Sequence, residues 1–251
     1  MRLHCLGTTG YHPSPSRQTA CYYLPDLELV LDAGSGLHRL TEHLIREPKE
    51  QLDILLSHAH LDHVVGLTFL LDVMAVTSLK QVRIFGQPDK LAAVKDHLFH
   101  PLLFPVPLSL ELHPLAGDEG RIKLPHCSFD YFPLEHPGGS IGMRVEAGCK
   151  RLAYVTDTTP KSDPRFLHHL KDLDLLLHEC YFSDKYRELS LRTGHSWLGA
   201  VTSIVEAVQP KQTLLIHVNP LEEILEEDSG YSSEHVKLKM SFAEDGMTLD
   251  F

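Results

Sequence analysis

Tryptophan occurs once in this 251-residue chain, cysteine five times, and lysine plus arginine 23 times against 34 aspartates and glutamates. Each scarcity excludes something. The cysteines (Cys5, Cys21, Cys127, Cys149 and Cys180) are odd in number, widely spaced and without a CxxC pair. That argues against a disulfide framework and against a cysteine-based zinc site. A formal net charge of −11 offers few cations to displace counterions from a phosphate backbone, so extended nucleic acid is not an expected partner. Long apolar runs are also missing. The longest mostly apolar stretch, Val64 to Val76, is interrupted by Asp72 and falls short of the roughly 20 residues that span a bilayer. Met1 to His12 contains no apolar core of a secretory signal. The expectation is a cytoplasmic protein with no membrane partner. No internal repeat, low-complexity segment or flexible linker is visible, so a single domain over residues 1–251 is expected.

What is plentiful is histidine, at 18 residues. One pattern recurs five times: a short apolar run ends in a polar group able to do chemistry. Leu29-Val30-Leu31 ends in Asp32, Ile54-Leu55-Leu56 in Ser57-His58, and Leu152-Ala153-Tyr154-Val155 in Thr156-Asp157. Leu175-Leu176-Leu177 ends in His178-Glu179, and Leu214-Leu215-Ile216 in His217. Continuous apolar runs of this length read as strands buried on both faces and covered by helices. Helices are expected at Asp62–Val76, Pro88–His100, Pro164–Lys171 and Ser196–Val208, with Ser196 as an N-cap and His195 just before it.

The most informative stretch is Ser57-His58-Ala59-His60-Leu61-Asp62-His63, in which four candidate ligands fall within six positions. Imidazole nitrogen and carboxylate oxygen suit zinc, and less selectively iron, manganese or nickel. His58 and His60, two apart, face one side of an extended backbone. Asp62 and His63 turn into the following helix, so the turn can serve two ions.

His58-Ala59-His60-Leu61-Asp62-His63 resembles the signature of the metallo-β-lactamase superfamily. That family's further stations occur in order: His136 after Ser128–Leu134, Asp157 after Tyr154-Val155-Thr156, and His217 after Leu215-Ile216. Within the superfamily the chain is most similar to the phosphodiesterase branch that includes ribonuclease Z and cyclic-phosphate phosphodiesterases. Leu6-Gly7-Thr8-Thr9, Pro13–Ala20, Leu31-Asp32-Ala33-Gly34, His178-Glu179 and Gly194-His195-Ser196 carry this second likeness. The resemblance implies a four-layer αββα sandwich of α/β class, two mixed sheets covered by helices, with pseudo-halves of about 1–125 and 126–251. It implies two divalent metal ions, zinc first and manganese or iron as alternatives. His58, His60 and His136 would hold one ion, Asp62, His63 and His217 the other, and Asp157 would bridge them. Asp32 would accept a hydrogen bond from a ligating histidine.

Two such ions lower the pKa of a shared water and supply hydroxide near neutral pH for attack on phosphorus. Asp62 would take the nucleophile's proton. His195, oriented by Glu179, would protonate the leaving group. Gly139 and Ser140 are candidates for close approach to a bound phosphate, although a turn joining two strands accounts for them equally well. Arg17 and Arg144 are weaker phosphate candidates. His178, next to Glu179, points to the other face of its strand and reads as packed. Only residues 137–156 separate His136 from Asp157, too few for the tRNA-gripping arm that the tRNA-processing enzymes often carry there. The expected function is therefore hydrolysis of a small phosphodiester: a cyclic nucleotide, a cyclic sugar phosphate or a short RNA end. The alternatives are a thioester, lactone or sulfate-ester hydrolase, a tRNA 3′-processing endonuclease, and a non-catalytic metal-binding protein. Dimers are common in this branch, so a homodimer is a possible assembly.

Overall fold

The computed structural model describes residues 1–160, 165–225 and 228–251. The start of the helix expected at Pro164–Lys171 and part of the acidic run, Glu226-Glu227, lie outside them. In chain order the strands are β1 (Arg2–Gly7), β2 (Cys21–Leu24), β3 (Leu29–Leu31), β4 (Gln51–Leu55), β5 (Gln81–Gly86), β6 (Glu111–Pro114) and β7 (Gly120–Lys123). They continue with β8 (Ser128–Leu134), β9 (Ser140–Ala147), β10 (Lys150–Val155), β11 (Leu175–Glu179), β12 (Thr213–Ile216), β13 (Met240–Phe242) and β14 (Thr248–Asp250). They form two seven-stranded sheets, ordered β14-β1-β2-β3-β4-β5-β6 and β13-β12-β11-β10-β9-β8-β7. Both are mixed, as expected of this α/β fold. One compact unit comprises Met1–Gly117 and Glu244–Asp250, the other Asp118–Ala243 with Phe251.

Within the first unit, β3, β4, β5 and β6 run parallel, while β14, β1, β2 and β3 pair antiparallel. The second unit has the same balance: β7 to β10 pair antiparallel and β10 to β13 parallel. Parallel strands need helical crossovers, which explains why their residues are apolar on both faces. In the first unit Val30, Ile54 and Ile84 of the sheet pack with Leu37, Leu40, Leu44, Leu67, Leu70 and Val73 from the crossovers. In the second, Ala153, Val155, Leu176 and Leu215 pack with the helix Leu198–Val208 through Leu198, Val201, Ile204 and Val205. Each such fully buried Val, Leu or Ile side chain contributes about 1.5–3 kcal/mol.

All four helices differ from expectation, two for visible reasons; over its described residues the one expected at Pro164–Lys171 is a 3₁₀ segment, Arg165–Leu170. The span Asp62–Val76 is divided into a turn of α-helix (Leu61–Val64), a 3₁₀ segment (Val65–Phe69) and a second α-helix (Leu70–Val76). The Gly66 N–H donates to Ala33 O at 2.8 Å instead of closing an α-turn. A side chain at Gly66 would meet Gly34 O at 2.1 Å, so only glycine allows that approach. The helix expected at Ser196–Val208 begins at Leu198, with Trp197 as its uncapped N-cap. Ser196 is not the cap because its hydroxyl donates to Thr158 O at 2.9 Å. The Pro88–His100 span is α-helical over Pro88–Ala93 and π-helical over Val94–Leu98.

Candidate metal centre

Asp32, the turn from His58, Asp157, Glu179 and His217 lie at the carboxyl ends of parallel strands, where open α/β sheets place their ligands, while His136 follows the antiparallel β8. In the first unit Asp32 follows β3 with a left-handed backbone, φ 54°. It is fully buried. Its Oδ1 accepts the Ser57 N–H at 2.7 Å, and its Oδ2 accepts the Ser57 hydroxyl at 2.7 Å. Oδ2 also lies 2.7 Å from His63 Nδ1. The carboxylate therefore accepts from the His63 Nδ1–H, which leaves the Nε2 lone pair to face a cation. Ser57 Oγ, its own proton committed to Asp32, accepts from His58 Nδ1 at 3.0 Å. His58 is thereby set to present Nε2 in the same way.

The rings of His60 and His63 stand 4.4 and 4.3 Å from that of His58, centroid to centroid. His60 ends the turn as the exposed N-cap of Leu61–Val64. The Asp62 carboxylate lies 3.4 Å from His63 Nε2 and accepts the Tyr11 N–H at 2.7 Å.

In the second unit Asp157 follows β10 at φ 43°, and His217 follows β12 at φ 53°. Asp157 Oδ2 is 3.5 Å from His136 Nε2, and Oδ1 is 3.3 Å from His217 Nε2. The two oxygens thus face two different imidazoles. His136 donates from Nδ1 to Gly194 O at 2.8 Å, which again leaves Nε2 as the ligating atom. Asp157, His195 and His217 form a cluster whose ligand atoms lie within 4.8 Å of one another.

Glu179, at the end of β11, is fully buried. Its Oε1 accepts the N–H groups of Thr158 and Ser196, and its Oε2 lies 3.0 Å from His195 Nδ1. Burial pushes this carboxyl up, but His195, His217 and their hydrogen bonds outweigh it and hold it below the ordinary value. His178, also fully buried, donates from Nδ1 to Glu179 O, and burial pushes it down.

The donor set fits a divalent ion. Two donors about 2.0–2.1 Å from zinc at the tetrahedral angle stand about 3.4 Å apart. The Nε2-to-carboxylate separations at His63, His136 and His217 are 3.4, 3.5 and 3.3 Å, beyond ordinary hydrogen bonds. They match edges of a coordination polyhedron.

The glycine loop after His136 turns back on itself: Gly138 and Gly139 have φ of 83° and 79°, and the Gly139 N–H donates to His136 O. Ser140 donates its hydroxyl to Asp157 O at 2.7 Å. Arg17 donates to Thr8 Oγ1, and Arg144 to the carbonyls of His169 and Lys171. Sequence reasoning gave no role to Ser57, the Gly194 carbonyl or Tyr181. Tyr181 had a signal: it is two residues beyond Glu179, on the same side of an extended chain. The Gly194 carbonyl, 58 residues from His136, had none.

Residues 27–218 match the profile of the Beta-lactamase superfamily domain. A ribonuclease Z of Ignicoccus hospitalis is 22% identical, over 86% of this chain and 87% of its own. The zinc-bound PqqB of Methylobacterium extorquens superposes with a TM-score of 0.78 at 20% identity, covering 100% of both chains. A diphosphatase of the PhnP family superposes at 0.69 and 21% identity, over 100% of this chain and 97% of that one.

Proposed function

The chain belongs to the metallo-β-lactamase superfamily, and from that premise we propose a dinuclear metal-dependent phosphodiesterase acting on a small phosphodiester. It is a metal-dependent hydrolase with a ribonuclease Z-like sequence. The observation that carries the finer reading is Asp157, whose two oxygens stand at coordination-edge distance from His136 Nε2 and His217 Nε2.

In this reading His58, His60 and His136 would hold one ion and Asp62, His63 and His217 the second, with Asp157 offering a carboxylate oxygen to each. Zinc suits an imidazole and carboxylate set, with manganese or iron as alternatives. When bound, the ions activate water and neutralise charge on the phosphoryl oxygens. Asp32 fixes the His63 tautomer, and Ser57 that of His58. Asp62 takes the proton of the attacking water. His195, held through Nδ1 by Glu179, turns Nε2 to the leaving oxygen and protonates it.

The −11 charge and the short span between His136 and Asp157 support a small substrate over a long RNA. The ribonuclease Z relatives favour a second reading, cleavage at an RNA 3′ end. A cytoplasmic setting fits five cysteines that are odd in number and widely spaced. A homodimer is part of the reading only by analogy with the branch. Assays of bis-p-nitrophenyl phosphate, a 2′,3′-cyclic nucleotide, a tRNA precursor, a thioester and a lactone test this directly. The proposal expects turnover of the first two, lost together with one ion in the His58→Ala/His60→Ala double variant. Thioester or lactone turnover without phosphodiester turnover would refute it, and so would full activity in the double variant.

A further inference from the structure

We propose that Tyr181 is a positioning residue for His195, walling one face of the imidazole so that Nε2 presents its proton in one direction. This rests on the reading of His195 as the leaving-group acid. The two rings stack with centroids 4.3 Å apart and planes 21° apart. The Glu179 contact at His195 Nδ1, 3.0 Å, fixes one atom of the ring. A single in-plane hydrogen bond leaves the ring free to swing about that bond. A flat surface against its face removes that freedom.

The backbone sets the stack. Tyr181 and Phe182 both donate their N–H groups to Ser196 O, and the Leu198 N–H returns to Phe182 O. The segment carrying Tyr181 therefore runs beside the residue that follows His195. Tyr181 is 9% exposed and is braced edge-on by Phe182, with centroids 4.8 Å apart. On another side of the imidazole the His136 ring stands at 5.1 Å, tilted by 58°. His195 is confined between these rings, and proton transfer to a leaving group depends steeply on such confinement.

The test compares Tyr181→Phe, Tyr181→Leu, Tyr181→Met and His195→Ala in the metal-loaded protein. The substrates are a p-nitrophenyl phosphodiester, whose leaving group needs no proton, and an alkyl phosphodiester, whose leaving group does. The readouts are the ratio of kcat/KM between the two esters, metal content and melting temperature. Tyr181→Phe keeps the ring and is expected to keep the wild-type ratio. Tyr181→Leu, or Tyr181→Met should the leucine variant not fold, is expected to shift the ratio about ten-fold against the alkyl ester with metal retained. Equal losses on both esters, or a Tyr181→Phe effect as large as that of Tyr181→Leu, would overturn the inference. His195→Ala separates the two layers. An unmoved ratio in that variant means the acid assignment itself has failed. A ratio moved by His195→Ala but not by Tyr181→Leu means that only the role of Tyr181 has.

Discussion

Asp32, Asp157 and His217 each end a strand on left-handed backbone, at φ of 54°, 43° and 53°. For residues other than glycine this conformation costs on the order of 1–3 kcal/mol, and such strain concentrates at sites where direction matters. Here it turns each side chain out of the strand register toward its cluster. Asp157→Asn keeps the size but replaces one oxygen by an amide that ligates poorly. That variant should bind less than the wild-type metal and lose most turnover; unchanged occupancy and rate would make Asp157 peripheral. His195→Ala should slow esters with poor leaving groups by about 10²–10⁴ and p-nitrophenyl esters far less. Glu179→Gln should show the same dependence more weakly.

A further residue-scale outcome concerns His43, which is not among the candidate ligands. Burial, the adjacent His4 and Arg46 lower its pKa to about 4, against the opposing pull of Glu42. The unfolded chain takes up this proton near pH 6.5 and the folded chain only near 4, so its contribution is complete above 6.5 and lost as pH falls toward 4. Urea midpoints measured across that range should fall less steeply in His43→Gln than in wild type. Parallel curves would contradict the assignment.

The ligand turn is an element built on close backbone approach. A side chain at Gly34 would meet Asp62 O at 2.2 Å, and one at Gly66 would meet Gly34 O at 2.1 Å. These glycines let the loop after β3 press on the turn His58–His63 and align Asp32 with His63. Gly66→Ala should destabilise the protein by about 1–3 kcal/mol, as overpacking does, and lower its metal content as well. Wild-type stability and occupancy would show that the contact is loose. The same contact explains one limit of the sequence reading. The apolar period over Asp62–Val76 is genuine, but a long-range hydrogen bond from Gly66 to Ala33 divides the helix, and periodicity carries no trace of it. Ser196 has an N-cap's composition, yet Thr158, 38 positions away, holds its hydroxyl. By contrast, five apolar runs ending in polar groups became strand ends, because burial on both faces leaves a continuous signature in the chain.

At the scale of the whole molecule, each of the two seven-stranded mixed sheets carries candidate ligands at the carboxyl ends of its parallel strands, and the second adds His136 after the antiparallel β8. This much of the fold was legible, because strands and turns are local features. The hydrogen bonds that select Nε2 over Nδ1 at His63 and His136 join residues that only folding brings together, whereas His58 is held by its sequence neighbour Ser57. They were legible in part, through Asp32, and otherwise hidden. Ligands that bind only the folded chain stabilise it in proportion to their occupancy. A metal-stripped chain should therefore melt lower and recover on adding zinc.

The central claim is a dinuclear phosphodiesterase, and a metal titration of the stripped chain, followed by hydrolysis of bis-p-nitrophenyl phosphate, tests it most directly. The account predicts that turnover rises until two equivalents of zinc or manganese are bound per chain and then levels off. Full turnover with one equivalent, or with none, would contradict it.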